Sequence, residues 1–281
     1  LWLMRRLLAT TAQFDEVMSG VRAEQQLGRA DKVNQLAAAT SKELDSGALS
    51  SLSDSKTYRT QLIDTVSLAK NSAAATNGFA AETAVVSSSL TNSPCHLVSD
   101  SLVKALDIVS WAGTALKDTS TKAPSLQTCE DVLKTIDGAT KATQTSQCGS
   151  GAASLTSAQA KDYMSKRQLS AFHTMLSCVM DHNKGEPALS ISKFSGSKTT
   201  ALVSDPDSIG QQSIGVSTGG SGGTFRLPER LSSMLSSVEA GADYAFVLTQ
   251  DLVLGNADTA FDAEFAADSM QGLTLNKKGT S

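Results

Sequence analysis

Apolar residues recur at roughly helical spacing from the start of the chain, with Phe14, Val17, Val21, Val33, Leu36 and Leu44 following one side of a helical wheel. This span holds no proline and two glycines before Gly47, so the pattern predicts one long helix over 1–45, loosened at Gly28. The stretch "DSGALSSLSDSK" is rich in turn formers and marks a bend, with Asp54 or Ser55 as the expected cap of the next helix. From Leu62 the line Leu62, Val66, Ala69, Ala73, Thr76, Ala80, Thr83, Ser87, Leu90 keeps an unbroken 4-3-4-3 spacing of mostly small side chains. A heptad of this kind holds one seam against a partner helix and lets the two backbones come close. The expected partner is the first helix running antiparallel, with self-association through the seam as the alternative. A continuous helix of about 35 residues would be about 50 Å long, which predicts a rod.

Three further helices follow. Ser93 and Pro94 read as the cap and first position of the third, whose apolar stripe is Leu102, Leu106, Val109 and Leu116. "LQTCEDVLKTIDGATKAT" is a shorter fourth. The fifth opens on a Ser/Thr-x-x-Gln capping box at Thr156 and is expected to stop at Gly185.

The period changes after Pro187. "ALSISKF", "TTALVS", "SIGVS" and "YAFVLTQDLVL" are short β-prone runs between Gly, Ser, Pro and Asp. "PERLSSMLSSVEAG" reads as a helix, and "NADTAFDAEFAADSMQ" as a helical tail with Phe261 and Phe265 opposite Asp258, Asp262, Glu264 and Asp268. The expected fold class is therefore mainly α: an elongated antiparallel helical bundle of about five helices over 1–186, followed by a small α+β or irregular segment over 187–281.

Composition sharpens this picture without changing it. Aromatic residues make up 5% of 281 residues, so slender packing of Ala, Ser and Thr is expected in place of a thick aromatic core. With 24 Lys+Arg against 28 Asp+Glu and no long run of either sign, a nucleic-acid partner is not expected. No stretch approaches the roughly 20 apolar residues of a transmembrane helix. The opening "LWLMRRLLATTAQF" places its arginines after the first apolar residues, unlike a signal peptide, and the absence of an initial Met leads to the expectation of a preceding segment that is either processed or lies outside this sequence. The amphipathic start, with Trp2, Leu3, Leu7 and Leu8 around Arg5 and Arg6, is expected to dock on a partner subunit or a membrane surface, against the plainer reading that it caps the bundle.

The four cysteines carry the most specific inference. If the third, fourth and fifth helices alternate up, down and up, Cys95 and Cys148 lie at one end and Cys129 and Cys178 at the other. Pairing Cys95 with Cys148 and Cys129 with Cys178 joins cysteines at matching heights. The other two pairings would require sulfurs about 20 Å or more apart to meet. The alternative is four buried reduced thiols. Disulfides would place the protein in an oxidising compartment: periplasm, cell surface or outside. The chain has no N-x-Ser/Thr acceptor, which tilts the reading toward a bacterial envelope.

Candidate chemistry is sparse. Gly219-Gly220-Ser221-Gly222-Gly223 satisfies the G-x-S-x-G pattern of a nucleophile elbow. His96, His173 and His182 all precede Ser221, however, and that order does not fit an α/β-hydrolase. As a phosphate cradle the same run lacks a following lysine, with Arg226 its only nearby cation, so a loop is expected. His173, Cys178, Asp181 and His182 fall close together, but His173 lies off the face shared by Cys178 and His182, and an oxidised Cys178 could not ligate. No catalytic, cofactor or metal site is expected. The expected role is a non-enzymatic structural or adaptor subunit of an extracytoplasmic assembly of secretion, conjugation, pilus or filament type, an oligomer contacting protein subunits of the same or a neighbouring kind. The alternative is a helical-bundle surface receptor or coat protein that binds a macromolecule.

Overall fold

Thr10 opens α1 (Thr11–Gln26): its hydroxyl accepts from the Gln13 amide, while the Gln13 side chain accepts from the Thr10 amide. The computed structural model describes residues 10–49, 51–183, 186–191, 197–204, 213–216, 223–226, 244–252 and 269–277. Leu27 is the C-cap of α1, and Gly28 takes φ +69°, a left-handed conformation that a Cβ disfavours. α2 (Ala30–Asp45) begins anew beyond it. The described part of the helix expected over 1–45, residues 10–45, is thus two helices, broken where a loosening was expected, and residues 1–9 lie outside the described residues. Phe14, Met18 and Val21 of α1 and Val33, Ala37 and Leu44 of α2 are buried.

The second expected helix is also divided. α3 (Leu52–Ser72) is capped by Ser51, which accepts from the Asp54 amide, in place of the expected cap at Asp54 or Ser55. The chain leaves helical geometry at Ala73, and Thr76 caps α4 (Asn77–Leu90) by accepting from the Phe79 amide. The 4-3-4-3 line correctly marks burial at Leu62, Val66, Ala69, Ala80, Thr83, Ser87 and Leu90. It does not mark one helix: α3 and α4 are about 32 Å and 21 Å long at 1.5 Å per residue, which replaces the continuous 50 Å rod. α3 packs against α1, α2 and α5, and α4 against α2, α5 and α6, so the first helical stretch is only one of the seam's partners.

Pro94–His96 forms one 3-10 turn, and α5 (Ser99–Thr119) starts only after it. Ser93 and Pro94 do take the expected cap and first positions, but of this short turn and not of α5, and the Ser93 hydroxyl makes no capping bond, donating instead to Asp45 at the end of α2. α6 (Leu126–Ala142), the single-turn α7 (Thr145–Cys148) and α8 (Ser157–Cys178) follow as the remaining helices among the described residues, with the expected capping box at Thr156 in place. α8 ends at Cys178, before the expected stop at Gly185, which lies outside the described residues. Contacts between α5 and α8 keep a constant offset of 59 residues, in Asp100 with Gln159, Asp107 with Lys166 and Thr114 with His173. These two helices therefore run parallel. Small residues set the closest approaches: a Cβ on Gly138 of α6 would meet the Thr91 carbonyl oxygen at 2.3 Å.

β1 (Leu189–Ile191), β2 (Ser197–Ser204), β5 (Tyr244–Leu252) and β6 (Ser269–Lys277) form an antiparallel sheet in the order β1-β2-β5-β6. β3 (Ser213–Val216) and β4 (Gly223–Arg226) form a separate antiparallel pair. Four of these strands fall on the β-prone runs, whereas β4 and β6 were not expected. The end of the expected helical tail, 269–271, belongs to β6, while 256–268 and the expected helix over 228–241 lie outside the described residues. Ala201 pairs with Val247 and Val203 with Ala245, and all four are buried in the same core as the helices, together with Ile191. The architecture is mainly α, a helical bundle with a small β segment against α6 and α8. Among the described residues no helix is long and apolar enough to cross a membrane.

Candidate functional site

The up-down-up course of α5, α6 and α8 brings the cysteines together as their heights require. Cys95, on the 3-10 turn, bonds to Cys148 at the end of α7 with Cα atoms 5.1 Å apart. Cys129, in the first turn of α6, bonds to Cys178 at the end of α8 with a Cα separation of 6.5 Å. Both separations suit a disulfide. The first bridge is half-buried and the second buried, with Cys129 fully enclosed. The alternative of four reduced thiols is not what the structure contains.

Beside the first bridge lies a polar knot that the sequence reading did not identify. Arg59 of α3 is fully buried. Its Nη1 donates to Ser41 Oγ and to the Ser89 and Leu90 carbonyls at 2.9, 3.2 and 2.8 Å, closing the end of α4, and its Nη2 pairs with Asp45. Asp45 also accepts from Ser93 Oγ at 2.6 Å and Asn92 Nδ2 at 3.0 Å. Desolvation lowers the Arg59 pKa from its ordinary value, and Asp45 opposes that shift. A fork of donors is needed to serve so many acceptors, which explains an arginine here. The legible signal was spacing: Ser55, Arg59, Leu62 and Val66 continue the 4-3-4 line, which puts a cation in a buried seam. His96, on the turn, faces this knot with its Nδ1 buried and unpartnered. Burial, then Arg59, lower the pKa of its ring.

A second charged set ties three helices. Asp107 of α5 receives Lys70 of α3 at 2.9 Å and Lys166 of α8 at 3.3 Å, and Lys166 also pairs with Asp162 at 2.9 Å. Burial alone would raise the Asp107 pKa, but the two lysines outweigh it and hold the carboxyl below its ordinary value. Thr114 Oγ1 lies 2.8 Å from His173 Nδ1, which on geometry alone suggests a nucleophile with a base. Thr114 sits inside α5, where backbone amides are committed to the helix and offer no oxyanion donors. Burial, then Lys117, lower the His173 pKa.

The other expected positions are accounted for in turn. His173, Cys178, Asp181 and His182 are not gathered: His173 bonds Thr114, Cys178 is oxidised, Asp181 accepts from the Ala123 amide and His182 approaches Glu186. No metal-holding group occurs among the described residues. Ser221 lies outside the described residues, but the strands flanking its glycine run, β3 and β4, pair antiparallel, whereas a nucleophile elbow passes from strand to helix. Trp2, Leu3, Leu7 and Leu8 also lie outside the described residues. Between α2 and α4 is a shallow, mostly apolar groove of about 210 Å³ lined by Asn34, Gln35, Ala38, Glu82, Val85 and Val86. No protein family, curated protein or solved structure matches the chain.

Proposed function

We propose that this chain is a non-enzymatic structural or adaptor subunit of an extracytoplasmic assembly, working through helix contacts with copies of itself or with neighbouring subunits. The observation that carries this reading is the pair of disulfides across both ends of the α5–α6–α8 unit. A chain of this size can bury a core without covalent help, so such bridges point to an oxidising compartment and to service as a durable part. Secretion, conjugation, pilus and filament systems use parts of this kind, an analogy of architecture. Light scattering coupled to size-exclusion chromatography of the oxidised protein, with negative-stain imaging, tests it. Rings, filaments or a defined high oligomer are the expected result.

The second reading is a surface receptor or coat protein with a macromolecular ligand, and the groove between α2 and α4 favours it. A monodisperse monomer or dimer in the same experiment, followed by retention of a soluble ligand, would replace the first reading with this one.

A further inference from the structure

We propose that the turn Pro94–His96 is an acid-released latch: protonation of His96 frees the turn and the end of α4 from the Arg59–Asp45 knot, while the disulfides keep the chain tethered. The groups that face His96 leave an imidazolium no partner. α3 presents Arg59 and Lys56, both cationic, and α2 presents Asp45. α6 brings Asp137 and Lys141, which pair with each other at 2.7 Å, and α7 holds no charged side chain. Asp45, the remaining anion, is already engaged by Arg59, Ser93 and Asn92. Lys56 donates to the Gly151 carbonyl at 3.0 Å, which fixes its charge nearby.

Hydrogen bonding points the same way. His96 Nδ1 and Arg59 Nε are both buried and unpartnered. In the Nε2–H tautomer of the neutral ring Nδ1 is an acceptor, complementary to the nearby guanidinium donors. With a protonated ring both groups are cationic donors and the complementarity is lost. The folded-state pKa of His96 lies below its ordinary value of 6.5. The unfolded chain therefore takes up the proton first, so the stability this group supplies is full above about pH 6.5 and is lost as pH falls below it. The segment that yields is held to Asp45 by Asn92 and Ser93 and closed by the Arg59 bonds to the Ser89 and Leu90 carbonyls. Cys95 stays joined to Cys148, so release is local.

The test is hydrogen exchange read by mass spectrometry on the intact oxidised chain at pH 7.5 and 5.0, corrected for intrinsic rates. Peptides covering 87–98 should lose protection at the lower pH, while those covering 102–116 should not. In His96→Asn, whose Oδ1 replaces the Nδ1 acceptor without titrating, that loss should vanish. Equal protection of 87–98 at both pH values overturns the proposal. So does a loss that persists in the variant, or one spread equally over α5, where His173 would be the source. Should the variant not fold, an NMR titration of the His96 ring in the unaltered protein decides, since a ring titrating at or above the ordinary histidine value overturns it as well.

Discussion

At Gly138 a single methyl group separates two outcomes. The Cβ of an alanine there would stand 2.3 Å from the Thr91 carbonyl oxygen, backbone against backbone, so neither side can yield by turning a rotamer. Gly138→Ala should cost about 1–3 kcal/mol despite the better helix propensity of alanine. Gly78→Ala, where nothing lies within 4 Å, should instead be neutral or stabilise by up to about 1 kcal/mol. Urea unfolding of the two variants checks both signs. Arg59 offers a larger effect: Arg59→Leu leaves Asp45 with a buried charge partner missing and the Ser89 and Leu90 carbonyls unserved. The expected loss is about 3–5 kcal/mol, and Arg59→Lys should recover only part of it, because one ammonium cannot span the same acceptors. The same urea midpoints read it.

Among the elements, Asp107 joins α3, α5 and α8 through Lys70 and Lys166. Its folded-state pKa lies below its ordinary value of 3.8, so the stability it supplies is present above that value and lost as pH falls through it toward the folded pKa. Asp107→Asn should therefore flatten the acid limb of a stability–pH curve below its ordinary value of 3.8, measured by urea midpoints at each pH. Element boundaries were the least legible part of the sequence. The apolar line from Leu62 to Leu90 stays in phase across the break at Ala73–Thr76 because both halves bury the same kind of face, so the period could not reveal the break. The threonine that caps α4 looked like one more small seam residue. Leu102, Leu106, Val109 and Leu116 were read correctly as the buried stripe of α5, since there a continuous helix does underlie the pattern. β6 was missed for the opposite reason: as an edge strand, with Gly272 in its middle, it shows no β-branched run, only Leu273 and Leu275 in alternation. The cysteine pairing was legible because helix length, which sequence reports well, decides which sulfurs can meet.

At the scale of the whole molecule, helices and sheet share one core, with Ile191, Ala201, Val203, Ala245 and Val247 among the same buried cluster as Leu133 and Met175. Calorimetry of the oxidised protein should show a single transition, with enthalpies from heat and from the van't Hoff slope in agreement. Two separated transitions would mean that the sheet folds as its own unit. The disulfides have a further effect that contacts alone do not reveal. The bridges span 95–148 and 129–178, so their loops interlock. Wherever a protease cuts once between Cys95 and Cys178, at least one bridge still crosses the cut. The nicked protein should migrate as intact on a non-reducing gel and fall into two fragments only with reductant, so this stretch of 84 residues, counting both end cysteines, can lose a peptide bond without losing a piece.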